Sequence, residues 1–342
     1  MSHLTKAQLN TLEIPELKMV ENRLRELVAS DTAYVKEIAG YVLDLGGKRI
    51  RPLLVLLCSG IYRANLKVRL DVAAATELVH TASLLHDDVI DEAPIRRGQP
   101  SVNSRWGNAS SVLAGDYLFA RAFALLSRYT DCLEVMAAAI ATMSEGELIQ
   151  LHAQFDPDIT PETYVSTIAG KTASLLSAGC ECGGMISTMP RGQVRTLRNF
   201  GLHLGIAYQI IDDIGDYALG SDRSGKPQGN DIKHGIVTLP LMYVLANPRS
   251  RERVQMLLSQ NTPLNPEALA EELTETKALE KAAAVACQHL EMAIAQLQGL
   301  PYCRSVIILE QLAEQFQQRC LALSNCPQFS EPPAHSFQHS SP

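Results

Sequence analysis

Almost nothing in this chain of 342 residues reads as a β-strand. Runs of alternating valine and isoleucine, the mark of a half-buried strand, are nearly absent. An excess of basic charge is missing too. With 30 Lys and Arg against 37 Asp and Glu, the net charge is -7 and the pI is near 5.7, which argues against nucleic-acid binding as the main role while leaving room for local basic patches. The opening MSHLTKAQLN has no basic segment followed by an apolar core, and no uninterrupted apolar run reaches about 18 residues, so a cytoplasmic location is expected. Cys58, Cys132, Cys180, Cys182, Cys287, Cys303, Cys320 and Cys326 are scattered mostly singly in apolar surroundings and read as reduced core thiols. Cys180 and Cys182 leave one residue between them, and no second close pair accompanies them, so a structural zinc is not expected.

The pattern that does dominate is helical. Apolar residues, rich in Ala and Leu, recur at three- and four-residue intervals over 17–45, 52–64, 70–91, 109–128, 131–153, 161–188, 191–219, 237–247 and 276–298. Gly46-Gly47, Gly98-Gln99-Pro100, Pro157 with Pro161, Gly183-Gly184, the stretch from Gly220 to Gly235, Pro248, and Pro263 with Pro266 interrupt it. None of these breaks is long or polar enough to separate a pair of domains. The expectation is an all-α protein with one helical domain over 1–325 and a disordered tail over 326–342, rich in Pro, Ser and His. No internal repeat is visible except one short acidic pattern.

That pattern is Asp87-Asp88-Val89-Ile90-Asp91, echoed by Asp212-Asp213-Ile214-Gly215-Asp216. At about 3.6 residues per turn, Asp87 and Asp91 share one helix face, as do Asp212 and Asp216. Each pair would repel across a turn unless a cation sat between. Two such clusters at the ends of apolar stretches suggest metal ions holding a polyanionic ligand. Arg96-Arg97-Gly98 follows the first cluster, and Gly46-Gly47-Lys48-Arg49-Ile50-Arg51-Pro52 precedes it. Carboxylates that hold Mg2+ beside Lys and Arg are the usual arrangement for a diphosphate. The glycine pair predicts a tight turn and Pro52 a helix start, near which Lys48 and Arg51 project. Lys171-Thr172, Gln209 one turn before the second cluster, and Lys226 are further candidates.

With these pieces assembled, the chain resembles the trans-type polyprenyl diphosphate synthases, the head-to-tail prenyltransferases. The matching stretches are GGKRIRP at 46–52, HTASLLHDDVIDEAPIRRG at 80–98, GELIQL at 146–151, GKT at 170–172, YQIIDDIGD at 208–216 and GKPQGNDIKHGIVTLP at 225–240, in family order. The resemblance implies a single helical bundle of the isoprenoid synthase type around a central apolar cavity. It implies that Lys48, Arg51, His80 and Arg97 bind the diphosphate of isopentenyl diphosphate. Asp87 and Asp91, with Asp88 counted beside them, and Asp212 and Asp216 opposite would hold Mg2+, expected as three ions. Arg96, Lys171, Thr172, Gln209 and Lys226 would contact the allylic diphosphate, and Asp87, Asp91, Lys171 and Asp212 would carry the catalysis. Ionisation gives an allylic cation and diphosphate, so no protein nucleophile is needed; the leaving diphosphate serves as base, and apolar walls keep water away. A homodimer is expected, with peripheral membrane contact for releasing a long product.

If Asp87 holds the diphosphate, the prenyl tail runs back along its helix past Ser83 and Ala82, both small. One turn advances about 5.4 Å, close to one isoprene unit. The absence of a bulky aromatic there points to a long product, octaprenyl for instance, for a quinone side chain. Asp116 and Glu147 read as structural. Three features depart from the family: Ile236 stands where lysine is usual, Gly215 replaces a large apolar residue, and the tail extends beyond the usual end. These keep open a reduced-activity partner subunit of a heteromeric synthase, beside a shorter-chain farnesyl or geranylgeranyl synthase. A terpene cyclase is disfavoured by the second aspartate cluster and by Lys48 and Arg51. A His-Asp phosphohydrolase built on His86 and Asp87 would leave Arg96, Arg97 and Lys171 unexplained.

Overall fold

The computed structural model describes residues 14–218, 230–259 and 266–324. Lys226 and the tail after Cys326 lie outside the described residues, as does the N-terminal decapeptide. Helices dominate: α1 Glu16–Leu27, α2 Ala33–Asp44, α3 Ile50–Gly60, α4 Leu66–Ile90, α5 Val102–Trp106, α6 Asn108–Leu126, α7 Thr130–His152 and α8 Pro161–Ile168. A π-helical turn, Ala169–Ala173, leads into α9 Ser174–Met185, and α10 Arg191–Ala218 follows. Then come α11 Asn230–Lys233, α12 Leu239–Leu245, α13 Pro248–Ser259, α14 Pro266–Thr276, α15 Ala278–Leu297 and α16 Arg304–Ser324. The strands are a two-residue hairpin, β1 Ile95–Arg96 and β2 Gln99–Pro100, paired antiparallel.

Local chemistry marks the helix starts. Asn65 accepts from the Lys67 N–H at 3.0 Å to begin α4, and Thr160 accepts from the Thr163 N–H at 3.2 Å, with Pro161 in the first turn of α8. Helix α4 packs along α6, α9 along α3 and α10, and α10 along α15. The apolar interior is divided into a pair of clusters. One gathers Leu53, Leu54 and Leu57 of α3 with Cys180, Phe200, Ile210, Leu290 and Phe316; the other gathers Val55 and Leu56 of the same helix with Leu78, Val79, Ala82, Leu118, Met136 and Cys182. Helices α3 and α9 thus face both clusters.

The long stretch 17–45 is two helices, because Ser30-Asp31-Thr32 breaks it: the Ser30 hydroxyl accepts from the Thr32 N–H at 3.2 Å, a local bond that competes with the helix ladder. Helices α13, α14 and α16 have no counterpart among the predicted segments; glutamine, glutamate and arginine dilute their apolar spacing. The stretch 161–188 carries the π turn, a common feature at functional positions. A Cβ on Gly215 would meet nothing within 4 Å, so open space surrounds it.

Candidate active site

The first aspartate cluster closes α4. A helix C-terminus disfavours negative charge, and each aspartate meets this differently. Asp88 is 1% exposed and accepts from Arg96 Nε at 2.5 Å. Its carboxylate is therefore engaged with Arg96, which differs from the metal-ligand role expected of Asp88 and from the free, diphosphate-facing Arg96. Asp87 is half-buried; burial pushes its carboxyl up to about 7, with Glu147 and Asp91 adding and Lys171 and Arg96 opposing. Asp91 is exposed.

The hairpin after this cluster sends its two arginines apart. Its central residues, Arg97 at φ 54° and Gly98 at φ 76°, are both left-handed, as a two-residue turn of the primed type requires. Arg96 turns back to Asp88, while Arg97 lies against Gly47, where a Cβ would sit 2.9 Å from Nη1. The backbone at Gly47 must be bare for Arg97 to reach this place.

Around Arg97 lies a pocket of cations. Arg49, left-handed at φ 53°, spans Glu21 (Nε to Oε1, 2.5 Å) and Glu77 (Nη1 to Oε1, 2.7 Å), so it is structural. The side chain of Arg51 is deep: burial lowers its basicity against Glu77, Tyr208 and Asp87, and its Nε is enclosed with no hydrogen-bond partner. Arg97 is exposed at the turn, yet partial desolvation of its guanidinium lowers it too, with Glu77 opposing and Arg49 and Arg96 adding. Lys48 Nζ stands 5.9 Å from the centre of the Tyr208 ring; burial, then Arg319 and Arg97, bring it down to about 8 against the pull of Asp212. Burial and the neighbouring Arg51, Arg97, Arg96 and Arg49 hold the His80 imidazole well below its ordinary value, so it is neutral near pH 7. Glu77, 2% exposed, is the carboxylate that Arg49, Arg51 and Arg97 share as counter-charge.

The opposite side is built from the π turn and α10. Gly146 of α7 lets the turn approach so closely that a Cβ there would fall 2.6 Å from the Lys171 nitrogen. Glu147, next in line, pairs with Lys171 Nζ at 2.6 Å. Burial works against the Lys171 ammonium, but Glu147, then Asp87 and Asp91, more than offset it and raise its pKa. Thr172 Oγ1 donates to Gln209 Oε1 at 2.7 Å, Gln209 Nε2 donates to Asp213 Oδ1 at 2.8 Å, and Tyr164 donates to Asp213 Oδ2 at 2.5 Å. Burial pushes Asp213 up to about 7 although both of these bonds pull it down. Asp216 accepts the Asp231 N–H at 3.1 Å, and Asp212, exposed, lies 3.8 Å from Arg319 Nη2. A cavity of about 150 Å³ is lined by Asp91, Lys171, Thr172, Gln209, Asp213 and Ile236, among others. The two acidic stretches therefore border one space.

Of the expected tail-lining pair, Ser83 shares the face of Asp87 and is half-buried. Ala82, roughly 140° round the helix from Asp87 at about 100° per residue, is fully enclosed in the apolar interior. Ile236 does line the cavity, beside His234. Motif spacing marks none of Glu77, Tyr164 and Arg319 and gives Asp213, inside the second cluster, no role of its own; an acidic residue within the apolar stretch 70–91 is the one signal that points to Glu77. Glu147 has more than the structural role expected of it, since it holds Lys171. Among the described residues no three His, Cys, Asp or Glu side chains are arranged to hold an ion by themselves. Paired hard-oxygen donors that leave coordination positions for substrate phosphates fit Mg2+, which is commonly bound through one or two carboxylates and the ligand.

Fold and site together define a class: a helical enzyme that transfers prenyl groups, with acidic helix ends facing across a cavity and a separate nest of cations around Glu77. The sequence model of the polyprenyl synthetase family matches residues 32–276, and the chain belongs to that family. The octaprenyl diphosphate synthase of Escherichia coli strain K12 is 34% identical over 299 residues, 86% of this chain and 93% of that protein. The heptaprenyl diphosphate synthase component 2 of Geobacillus stearothermophilus is 35% identical over 300 residues, 87% of this chain and 94% of that protein. The crystal structure of a decaprenyl diphosphate synthase from Rhodobacter capsulatus superposes with a TM-score of 0.86 at 34% identity, covering 92% of this chain and 99% of that one. A polyprenyl synthase from Caulobacter crescentus CB15, complexed with calcium and isoprenyl diphosphate, has a TM-score of 0.86 at 32% identity, covering 92% and 98%.

Proposed function

We propose that the protein adds isopentenyl diphosphate head-to-tail to an allylic diphosphate and makes a long all-trans polyprenyl diphosphate for a quinone side chain. One observation carries this reading: cations gathered around Glu77 (Arg51 and Arg97, with Lys48 near Arg97) and paired carboxylates (Asp87 with Asp91, the latter lining the cavity) form separate sites. Two substrates that each carry a diphosphate need such a division, one taken up as a bare anion and the other with its metal.

In this reading Lys48, Arg51 and Arg97 bind the diphosphate of isopentenyl diphosphate. The Arg51 Nε is enclosed and without a partner, so an anion reaching it meets charge that water screens little. Neutral His80 offers a further hydrogen bond. Asp87 and Asp91 on one side, with Asp212 and Asp216 on the other, would hold Mg2+, which supplies neutralisation of the leaving diphosphate. Lys171, kept charged by Glu147, and the Gln209 amide face the same leaving group. The allylic carbon–oxygen bond breaks with its electron pair on diphosphate, the double bond of isopentenyl diphosphate attacks the cation, and one proton leaves to restore an alkene. Ile236, in place of a cation, leaves Lys171 as the chief positive group of the cavity lining. The names of the relatives, octaprenyl, heptaprenyl and decaprenyl, support a long product.

On the outer side, α6 and α7 expose Leu113 and Leu148 at 66% each, with Val112 and Ile149 beside them; this apolar surface supports a homodimer. A second reading, a chain that needs a different partner subunit for full turnover, is favoured by Ile236 and by the word "component" in the name of the Geobacillus relative. One experiment separates the two. The purified chain is incubated with Mg2+, isopentenyl diphosphate and farnesyl diphosphate, and the products are sized. Long prenyl products that disappear in a folded Asp87→Ala variant support the first reading; no product from the wild type overturns it in favour of the second.

A further inference from the structure

Gln209 and Asp213 are polar side chains of α10 at the cavity, and the Gln209 amide could point either way. An amide carries a donor end and an acceptor end of nearly equal shape, so only its neighbours decide which end faces where. Here the neighbours set it. In its carboxylate form Asp213 accepts at Oδ1, so the Gln209 nitrogen faces it, at 2.8 Å. The Gln209 oxygen then faces Thr172, whose hydroxyl must donate, at 2.7 Å. Tyr164, a buried residue of α8, donates to the other oxygen of Asp213 at 2.5 Å, which ties that carboxylate into the wall and turns it away from any ligand duty. The second proton on the Gln209 nitrogen is left over, and the oxygen of Thr172 keeps acceptor capacity.

We propose that Asp213 and Tyr164 are positioning residues that fix the Gln209 amide so that its remaining N–H meets the diphosphate of the allylic substrate. This rests on the function proposed above. The pair lies at the seam between α8, the π turn and α10, so it sets the relation of the Lys171-Thr172 stretch to the second acidic cluster through a single file of hydrogen bonds. Without Asp213 the amide can flip and present its oxygen to an anion, a repulsive contact. Without the Tyr164 hydroxyl, Asp213 can swing and the same freedom returns.

Initial rates with each substrate varied in turn test this in Tyr164→Phe, Asp213→Asn and Gln209→Ala, and in Tyr164→Phe combined with Gln209→Ala. One hydrogen bond on this path corresponds to about a threefold to tenfold change. Tyr164→Phe and Asp213→Asn are expected to raise KM for the allylic diphosphate by that factor while KM for isopentenyl diphosphate stays within about twofold. In the Gln209→Ala background, Tyr164→Phe should add nothing, since no amide remains to be held. Equal changes in both KM values, a fully additive double variant, or a fall in melting temperature with both KM values intact would each overturn the proposal. Should the wild type form no product, the function proposed above fails, and the positioning role is read from calorimetric binding of inorganic diphosphate with Mg2+. There, weaker binding by the same factor in Tyr164→Phe supports the positioning role, and unchanged binding overturns it.

Discussion

Glu77→Gln separates neutralisation from alignment in the cation pocket. Glu77 is nearly inaccessible and holds Arg49 at 2.7 Å, with Arg51 and Arg97 close enough to feel its charge. Removing one partner of a buried ion pair costs about 3–5 kcal/mol. The amide oxygen of glutamine still accepts from Arg49, and Arg49 keeps Glu21, so the loss should fall near the lower end, about 3 kcal/mol. For a domain of this size that lowers the melting temperature by about 6 °C. The effect on a diphosphate has the opposite sign. A unit charge at roughly 8 Å and an effective dielectric near 20 repels an anionic ligand by about 2 kcal/mol, so its removal tightens diphosphate binding by roughly 30-fold. Scanning calorimetry and titration with inorganic diphosphate read the two effects on one preparation. A variant that melts lower but binds more tightly, with a correspondingly larger ligand-induced rise in melting temperature, is the expected result. Loss of both stability and affinity would refute the reasoning and make Glu77 a residue that aligns the arginines. Glu21→Gln is the control, because Glu21 touches Arg49 alone: stability should fall with little change in affinity.

Three other outcomes are expected. The pH dependence of kcat/KM should be bell-shaped. Asp87, near 7, must lose its proton to accept a metal, so activity falls as pH drops below about 7; Lys48, near 8, must keep its proton, so activity with limiting isopentenyl diphosphate falls as pH rises above about 8, and Lys48→Arg removes the alkaline limb. Arg319→Ala removes a like charge beside Lys48, so steady-state kinetics should show the alkaline limb moved upward while KM for isopentenyl diphosphate rises several-fold. Ser83→Phe, on the Asp87 face, should shorten the product as sized by chromatography, whereas Ala82→Phe, in a fully enclosed position, should also cost about 1–3 kcal/mol of stability by overpacking; unchanged product from both would end the tail-path reasoning.

Helix spacing made most of the fold readable, because α4 buries an apolar stripe against α6, and α10 against α9 and α15, and so each must carry one. It failed where burial is partial or interrupted. Helix α16 is diluted by Glu310, Gln311, Glu314 and Gln315, and the break at Ser30-Asp31-Thr32 depends on a side-chain bond that no periodicity announces. Residues of three matched stretches, Asp91, Lys171 with Thr172, and Gln209 with Asp213, do line one cavity. Motif spacing could not assign partners within them. Asp87 and Asp88 are adjacent and identical in type, yet one borders Lys171 and the other is bound to Arg96, a difference made by the left-handed turn at Arg97-Gly98. Nor could spacing bring Glu147, Tyr164 and Arg319 to the site, since each arrives from an element whose approach is decided by tertiary contact, as at Gly146 against the π turn.

The inequality of the two acidic walls follows from what each one has beside it. The first wall has part of its countercharge before any ligand arrives: Asp88 has Arg96, and Asp87 has Lys171 nearby, itself shared with Glu147, while Asp91 is exposed. The second wall has Arg319 at 3.8 Å from Asp212, a backbone N–H at Asp216, and the apolar Ile236 in the lining. A polyanion entering this cavity therefore gains direct cationic contact on the side of Lys171 and must rely on metal for neutralisation on the side of α10. Under the proposed function, loss of metal should then weaken the hold of the second wall more than that of the first. Rigid placement of the Gln209 amide matters more here than in a site with another lysine, because one oriented N–H has to do some of what a mobile ammonium would otherwise do.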